Sequence, residues 1–201
     1  SRLLGPLVAP RRDASNRELP DDPGAKDLGD LLIYYTAISL IEGRCLTETG
    51  DYSRAIKRLE EAARLSERVQ RFDGGLATGA NFLGRAWEQI QLAYLKQGNW
   101  EQAAAARKQA LQLVEQRQNN PFLERLYVMI QCDSARYGAR SQPELARAAL
   151  QSAETQYAQL SANETTARDW ELLLYMATAR AAVAFTQGDL NALAKIGRAH
   201  V

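Results

Sequence analysis

One histidine, His200, and two cysteines, Cys45 and Cys132, are a thin supply of groups for acid–base, metal or thiol chemistry in a chain of 201 residues. No Cys-x-x-Cys, His-Glu-x-x-His or Gly-x-Ser-x-Gly occurs. Gly74-Gly75 with Gly79 comes nearest to a phosphate loop, but no strand precedes it and no Lys-Ser/Thr follows. It reads as a connection between helices. Trp87, Tyr94, Trp100 and Tyr137 could stack on a ligand, yet their helical spacing assigns them to packing. Cys45 and Cys132 make no disulfide framework and read as small apolar fillers. Asp133 and Arg136 read as a local ion pair or as exposed. Arg11-Arg12 is too short a basic run to hold nucleic acid. The expectation is a chain with no catalytic residues, no metal, no cofactor and no enzymatic activity of its own.

Composition narrows the class further. Lys and Arg number 25 against 24 Asp and Glu, a formal net charge of +1. Such a balance gives no global field for nucleic acid or anionic lipid. No apolar run reaches the roughly 18–20 residues of a membrane span. A reducing compartment, the cytoplasm, is the expectation, with the periplasm as the alternative. The final residues Ile196-Gly-Arg-Ala-His-Val201 match the translation of a common short-read sequencing adapter. Residues 196–201 are therefore expected to be foreign, His200 included, with the native sequence interrupted near Ala194.

The elements that would position any site are helical. Ala, Leu, Gln, Glu and Arg dominate, which favours helix over strand. Residues 1–29 read as the end of a preceding helix and a linker, because Pro10 to Asp30 is rich in breakers. Helices are then expected over about 30–49, 52–70, 80–97, 100–118, 122–139, 142–160 and 164–187, with an eighth begun after Gly188-Asp189. Leu32, Tyr35, Ser39, Gly43 and Leu46 are the expected inner stripe of the first. Phe72 to Ala80 reads as a loop. Pro121 suits the first turn after Asn119-Asn120, and Ser141 with Glu144 fits a capping box. Asn163 or Ser161 would cap the helix that follows.

The pattern repeats. Gly50-Asp51-Tyr52, Gly98-Asn99-Trp100, Ser141-Gln142-Pro143 and Gly188-Asp189-Leu190 lie 48, 43 and 47 residues apart. Alanines recur seven apart after each turn: Ala55 and Ala62, Ala103 and Ala110, Ala146 and Ala153. Gly50-Asp-Tyr52-x-x-Ala55-x-x-x-Leu59-x-x-Ala62 resembles the tetratricopeptide repeat, as does Trp87…Tyr94-x-x-x-Gly98-Asn-Trp100-x-x-Ala103…Ala110. The third copy lacks the turn glycine. The fourth keeps Gly188 but has Ala181 and Ala184 where the pattern differs. The repeats exceed the family's usual 34 residues or so. In that length they resemble bacterial LuxR-type activators and the sensor regions of diguanylate cyclases.

The resemblance implies an all-α, right-handed superhelical array of antiparallel hairpins, about three and a half repeats over 30–195, divided as 30–72, 76–118, 121–160 and 163–195. It implies a groove lined by the first helix of each hairpin, at Arg44, Arg85, Glu88, Leu92, Lys96, Gln131 and Tyr175 among others. The family's clamp for a C-terminal carboxylate is not matched, since Leu40 and Arg44 stand in its first two places. The implied partner is a protein or peptide, or a small regulatory ligand, without direct nucleic-acid contact. The implied role is the sensor or scaffold part of a larger bacterial signalling or transcriptional regulator. A self-assembling scaffold, and the regulatory portion of an enzyme whose catalytic domain lies elsewhere, are the alternatives.

Overall fold

The computed structural model describes residues 23–72, 75–116, 120–161, 169–189, 191–193 and 196, with the backbone alone for 23–27, 75 and 161. Among the described residues there are helices and turns and no strand. Seven long helices follow in order among the described residues: α1 Pro23–Glu48, α2 Tyr52–Val69, α3 Gly75–Gln97, α4 Trp100–Gln116, α5 Pro121–Gly138, α6 Pro143–Ser161 and α7 Trp170–Gln187, and residues 191–193 and 196 are helical beyond them. The fold is an all-α, TPR-like repeat array. It divides into two compact units, residues 1–90 and 91–201, with the division inside α3.

The repeat is written in the backbone of its turns. Gly50, Gly98 and Gly188 take φ of 84°, 79° and 70°. Each is followed by an N–H that reaches back to a helical carbonyl: Asp51 to Leu46 at 2.9 Å, Asn99 to Tyr94 at 2.9 Å and Asp189 to Ala184 at 3.0 Å. The glycine N–H groups donate to Thr47, Leu95 and Phe185. This paired bonding satisfies carbonyls that the helix end would otherwise leave bare. The residue after each glycine then caps the next helix. Asp51, Asn99 and Asp189 side chains accept from the N–H of Arg54, Gln102 and Ala192. A Gly-Asp or Gly-Asn pair thus closes one helix and opens the next, which explains its recurrence.

In the first unit, α1 packs on α2 along a seam of small residues. A Cβ at Gly43 would sit 2.5 Å from Leu59 Cγ, so glycine lets Leu59 enter. Opposite it, Ala55, Leu59, Ala62, Ser66 and Val69 are buried on one face of α2. Three expectations are corrected in this unit. Helix α1 begins at Pro23 rather than near Asp30, since Pro23 is tolerated in a first turn. Tyr35 is exposed, and Thr36, Leu40 and Thr47 are buried instead. Thr36 and Thr47 satisfy their hydroxyls by donating to Leu32 and Gly43 carbonyls at 2.8 and 3.0 Å. The expected loop over 72–80 is shortened, because α3 already starts at Gly75. A Cβ at Gly79 would meet Gln70 Cγ at 2.5 Å and the Ser66 carbonyl at 2.7 Å. Close approach of α3 to α2, not chain flexibility, accounts for that glycine.

In the second unit, α5, α6 and α7 share one core. Val128, Met129, Cys132 and Ala135 meet Ala146, Ala149, Ala153 and Leu160, and Leu172, Met176, Ala179 and Val183 close it. The alanine face of α6 lets the bulkier residues of its neighbours pack closely. Asn120 caps α5, accepting from Phe122 and Leu123 N–H with Pro121 in the first turn, as expected. The third turn has no glycine, and Ala139 stays right-handed there. The Ala146 N–H donates to the Gln142 carbonyl, so the cap position is Gln142, one residue after the expected Ser141, α6 starts at Pro143, and Glu144 pairs with Arg147. Helix α7 is capped by Asp169 and starts at Trp170, six residues later than expected. Residues 162–168, which include the expected cap Asn163, lie outside the described residues, as do 1–22, 117–119 and His200.

Candidate functional site

Helix α3 carries an unusual run of buried polar side chains. Glu88, Gln89 and Gln91 are each less than 5 % exposed. In the first unit, Glu88 Oε2 accepts from Gln89 Nε2 at 2.8 Å and faces Arg85 Nη1 at 3.6 Å. Its other oxygen has no hydrogen-bond partner. Burial pushes the Glu88 carboxyl above its ordinary value, while the charges of Arg85 and, from α1, Arg44 pull it back. Arg85 and Arg44 keep access to solvent, Arg85 half-buried and Arg44 exposed. Arg85 thus pairs with the buried carboxylate, and the charge of Arg44 reaches it as well.

The second unit holds a different polar group. Gln91 Nε2 donates to the Ile130 carbonyl at 3.3 Å and to Ser134 Oγ at 2.9 Å, tying α3 to α5. Arg107 of α4 donates to Gln131 Oε1 of α5. Burial lowers the Arg107 guanidinium below its ordinary value, with Tyr127 opposing. A cavity of about 60 Å³ opens beside these groups, lined by Gln91, Leu95, Trp100, Arg107, Ser134 and Gln142. A larger one, about 440 Å³, lies along α6 and α7 between Leu150, Glu154, Arg180, Val183 and Ile196. Glu154 and Arg180 pair at 2.7 Å on its wall.

Of the seven residues expected at the groove, Arg44, Arg85 and Glu88 come together in the first unit. Leu92, Lys96, Gln131 and Tyr175 belong to the second. Arg44 is exposed, and Arg85, Lys96 and Tyr175 are half-buried. Glu88, Leu92 and Gln131 were expected at an open surface and are buried. Glu88 faces Arg85, and Gln131 accepts from Arg107. Asp133, expected exposed or in a local pair, is buried, and Arg136 lies over the Tyr137 ring at 5.2 Å. Trp87, Tyr94, Trp100 and Tyr137 are half-buried. Cys132 is a buried filler, with Sγ 3.4 Å from Met176 Sδ and its thiol pushed up to about 12, mainly by burial. Cys45 is exposed and is not a filler. Sequence reasoning missed Gln91, Arg107 and Ser134. The signal was a glutamine at a position flanked by the apolar residues Ile90 and Leu92.

Residues 86–121, from within α3 through α4 to the first residue of α5, match the tetratricopeptide repeat family. The matched stretch holds the Gly98-Asn99 turn and the α3–α4 hairpin described above. It is a TPR-like helical repeat protein. Neither a curated protein nor a solved structure matches the chain. TPR repeats generally mediate protein–protein interaction, and no helix among the described residues of this TPR-like chain is long and apolar enough to cross a membrane. Among those residues, too, no three His, Cys, Asp or Glu side chains are grouped to hold a metal ion.

Proposed function

We propose that this chain is a non-catalytic module that binds a protein or peptide segment bearing carboxylates, with Arg44 and Arg85 as its anchors. One observation carries the reading: Arg85, partly open to solvent, pairs with the buried carboxylate of Glu88, whose field the exposed Arg44 also shares. A carboxylate on a partner would be met by charge-assisted hydrogen bonds, which are stronger than neutral ones. Glu88 holds Arg85 in place from beneath, reducing the side-chain entropy that the guanidinium must lose on binding. Lys96, Leu92, Gln131 and Tyr175 are the corresponding candidates in the second unit, where Leu92 and Gln131 underlie the surface.

The wider context we infer is the sensor or scaffold part of a larger bacterial signalling or transcriptional regulator, in line with the length of the repeats. Selection from a displayed random-peptide library tests the binding reading. Sequences rich in Asp and Glu should be enriched on the wild-type chain and lost on Arg44→Glu. Enrichment of sequences without acidic residues, or the same acidic set on both proteins, would overturn it.

A further inference from the structure

Helix α1 has two apolar faces and packs only one of them on α2. Leu32, Thr36, Leu40, Gly43 and Thr47 are buried. On the far side Leu31, Tyr34, Ile38 and Ile41 are 42, 67, 53 and 64 % exposed, and Cys45 is exposed beyond them. These five positions are alternately three and four apart. That 3.5-residue spacing is the seam of two helices packed side by side, whereas a solvated face needs no such order. With Tyr35 beside it, the stripe exposes on the order of 500 Å² of apolar surface, the size at which a patch on a monomer is usually functional.

We propose that α1 pairs antiparallel with α1 of a second copy of this chain. Charge selects both the occupant and the direction. Asp30, Ala37 and Arg44 run along one edge of the stripe, Tyr35, Glu42 and Thr49 along the other. In antiparallel helices like edges meet, so Asp30 of each copy faces Arg44 of the other, twice by symmetry. In parallel helices opposite edges meet and bring no pair of opposite charges together. Glu42 is already neutralised by Arg58 at 2.7 Å and repels nothing across the seam. The matching register sets Ile38 against Tyr34 and Leu31 against Ile41, with the helices crossing near Thr36. Both copies together bury on the order of 1,000 Å², the lower limit for a specific interface, so the dimer is weak and concentration-dependent.

Sedimentation velocity of the full chain under reducing conditions, up to about 100 µM, tests this. The expected result is a monomer–dimer equilibrium that Ile38→Glu abolishes with unchanged helical circular dichroism, because Ile38 is already exposed. Asp30→Arg should weaken the dimer about tenfold, and Asp30→Arg with Arg44→Asp should restore it. The two Cys45 residues would stand roughly 27 Å apart along the axis at 1.5 Å per residue, so oxidation should give no Cys45-linked dimer. A monomer throughout the concentration range, a dimer indifferent to Ile38→Glu, or no recovery in the charge swap would overturn the pairing. A Cys45-linked dimer formed in good yield would overturn its direction.

Discussion

Arg85 Nη1 lies 3.6 Å from Glu88 Oε2, three residues along the same helix, and the carboxylate is 1 % exposed while the guanidinium is not sealed. One member of the pair is thus fully desolvated and the other stays partly in water. Burying one charge whose partners stay partly in water costs more than it returns. Glu88→Gln should raise stability at pH 7 by roughly 1–2 kcal/mol, read as a higher urea midpoint at constant slope. The sign in pH follows from the raised carboxyl. Above the ordinary value of 4.5 the folded chain holds a proton that the unfolded chain has lost, so stability falls as pH rises. The advantage of Glu88→Gln should therefore shrink as pH falls from neutrality toward about 4.5, and stay constant below that.

Removing the other partner should do the reverse. Arg85→Ala leaves Glu88 buried with its nearest compensating charge gone, a change worth on the order of 3 kcal/mol. Adding Glu88→Gln to Arg85→Ala should recover most of that loss. A double-mutant cycle by urea unfolding measures the coupling. Simple additivity of the two changes would mean that the pair does not act as a unit.

The glycines divide into two kinds, and their alanine variants should show it. At Gly98 a Cβ meets nothing within 4 Å, and only the φ of 79° is strained, so Gly98→Ala should cost about 1–2 kcal/mol. At Gly79 a Cβ would strike the Ser66 carbonyl at 2.7 Å and the Gln70 nitrogen at 2.8 Å, both backbone. Gly79→Ala should cost about 3 kcal/mol and shift α3 away from α2. Thermal melts of the two variants side by side check the order.

The two cysteines should react at very different rates. Cys45 is exposed, and an uncharged thiol reagent should modify it in the folded chain. Cys132 is buried with its thiol held near 12, so it should stay unmodified until denaturant is added. Mass spectrometry of the folded and denatured chain gives the count directly.

The hairpins were legible because a Gly-Asp or Gly-Asn pair carries both a left-handed stop and a side-chain cap. Both act within a few residues of the chain, so the sequence contains all of their causes. Gly79 and Tyr35 were not legible, for the opposite reason. A glycine needed for close approach and one needed for a turn look alike until the facing helix is known, and Gly79 depends on Ser66 and Gln70. Helix α1 has apolar residues on two faces, and periodicity alone could not tell which one α2 would cover. In the candidate site, the repeat register singles out Arg44, Arg85 and Glu88 as groove residues. It does not show the burial of Glu88, since a charged residue beside an apolar stripe reads as exposed unless its neighbours are in view.

The account rests on two guanidinium groups that receive a partner's carboxylates. Fluorescence anisotropy tests it most directly, with a labelled peptide selected for acidic residues and its Asn/Gln counterpart titrated against the wild-type chain, Arg44→Glu, and Arg85→Gln combined with Glu88→Gln to keep the fold. The acidic peptide should bind wild type at least about tenfold more tightly than its neutral counterpart, and each variant should lose at least about tenfold, on the scale of one charge-assisted bond. Equal binding of the two peptides, or equal binding to wild type and both variants, would contradict the account.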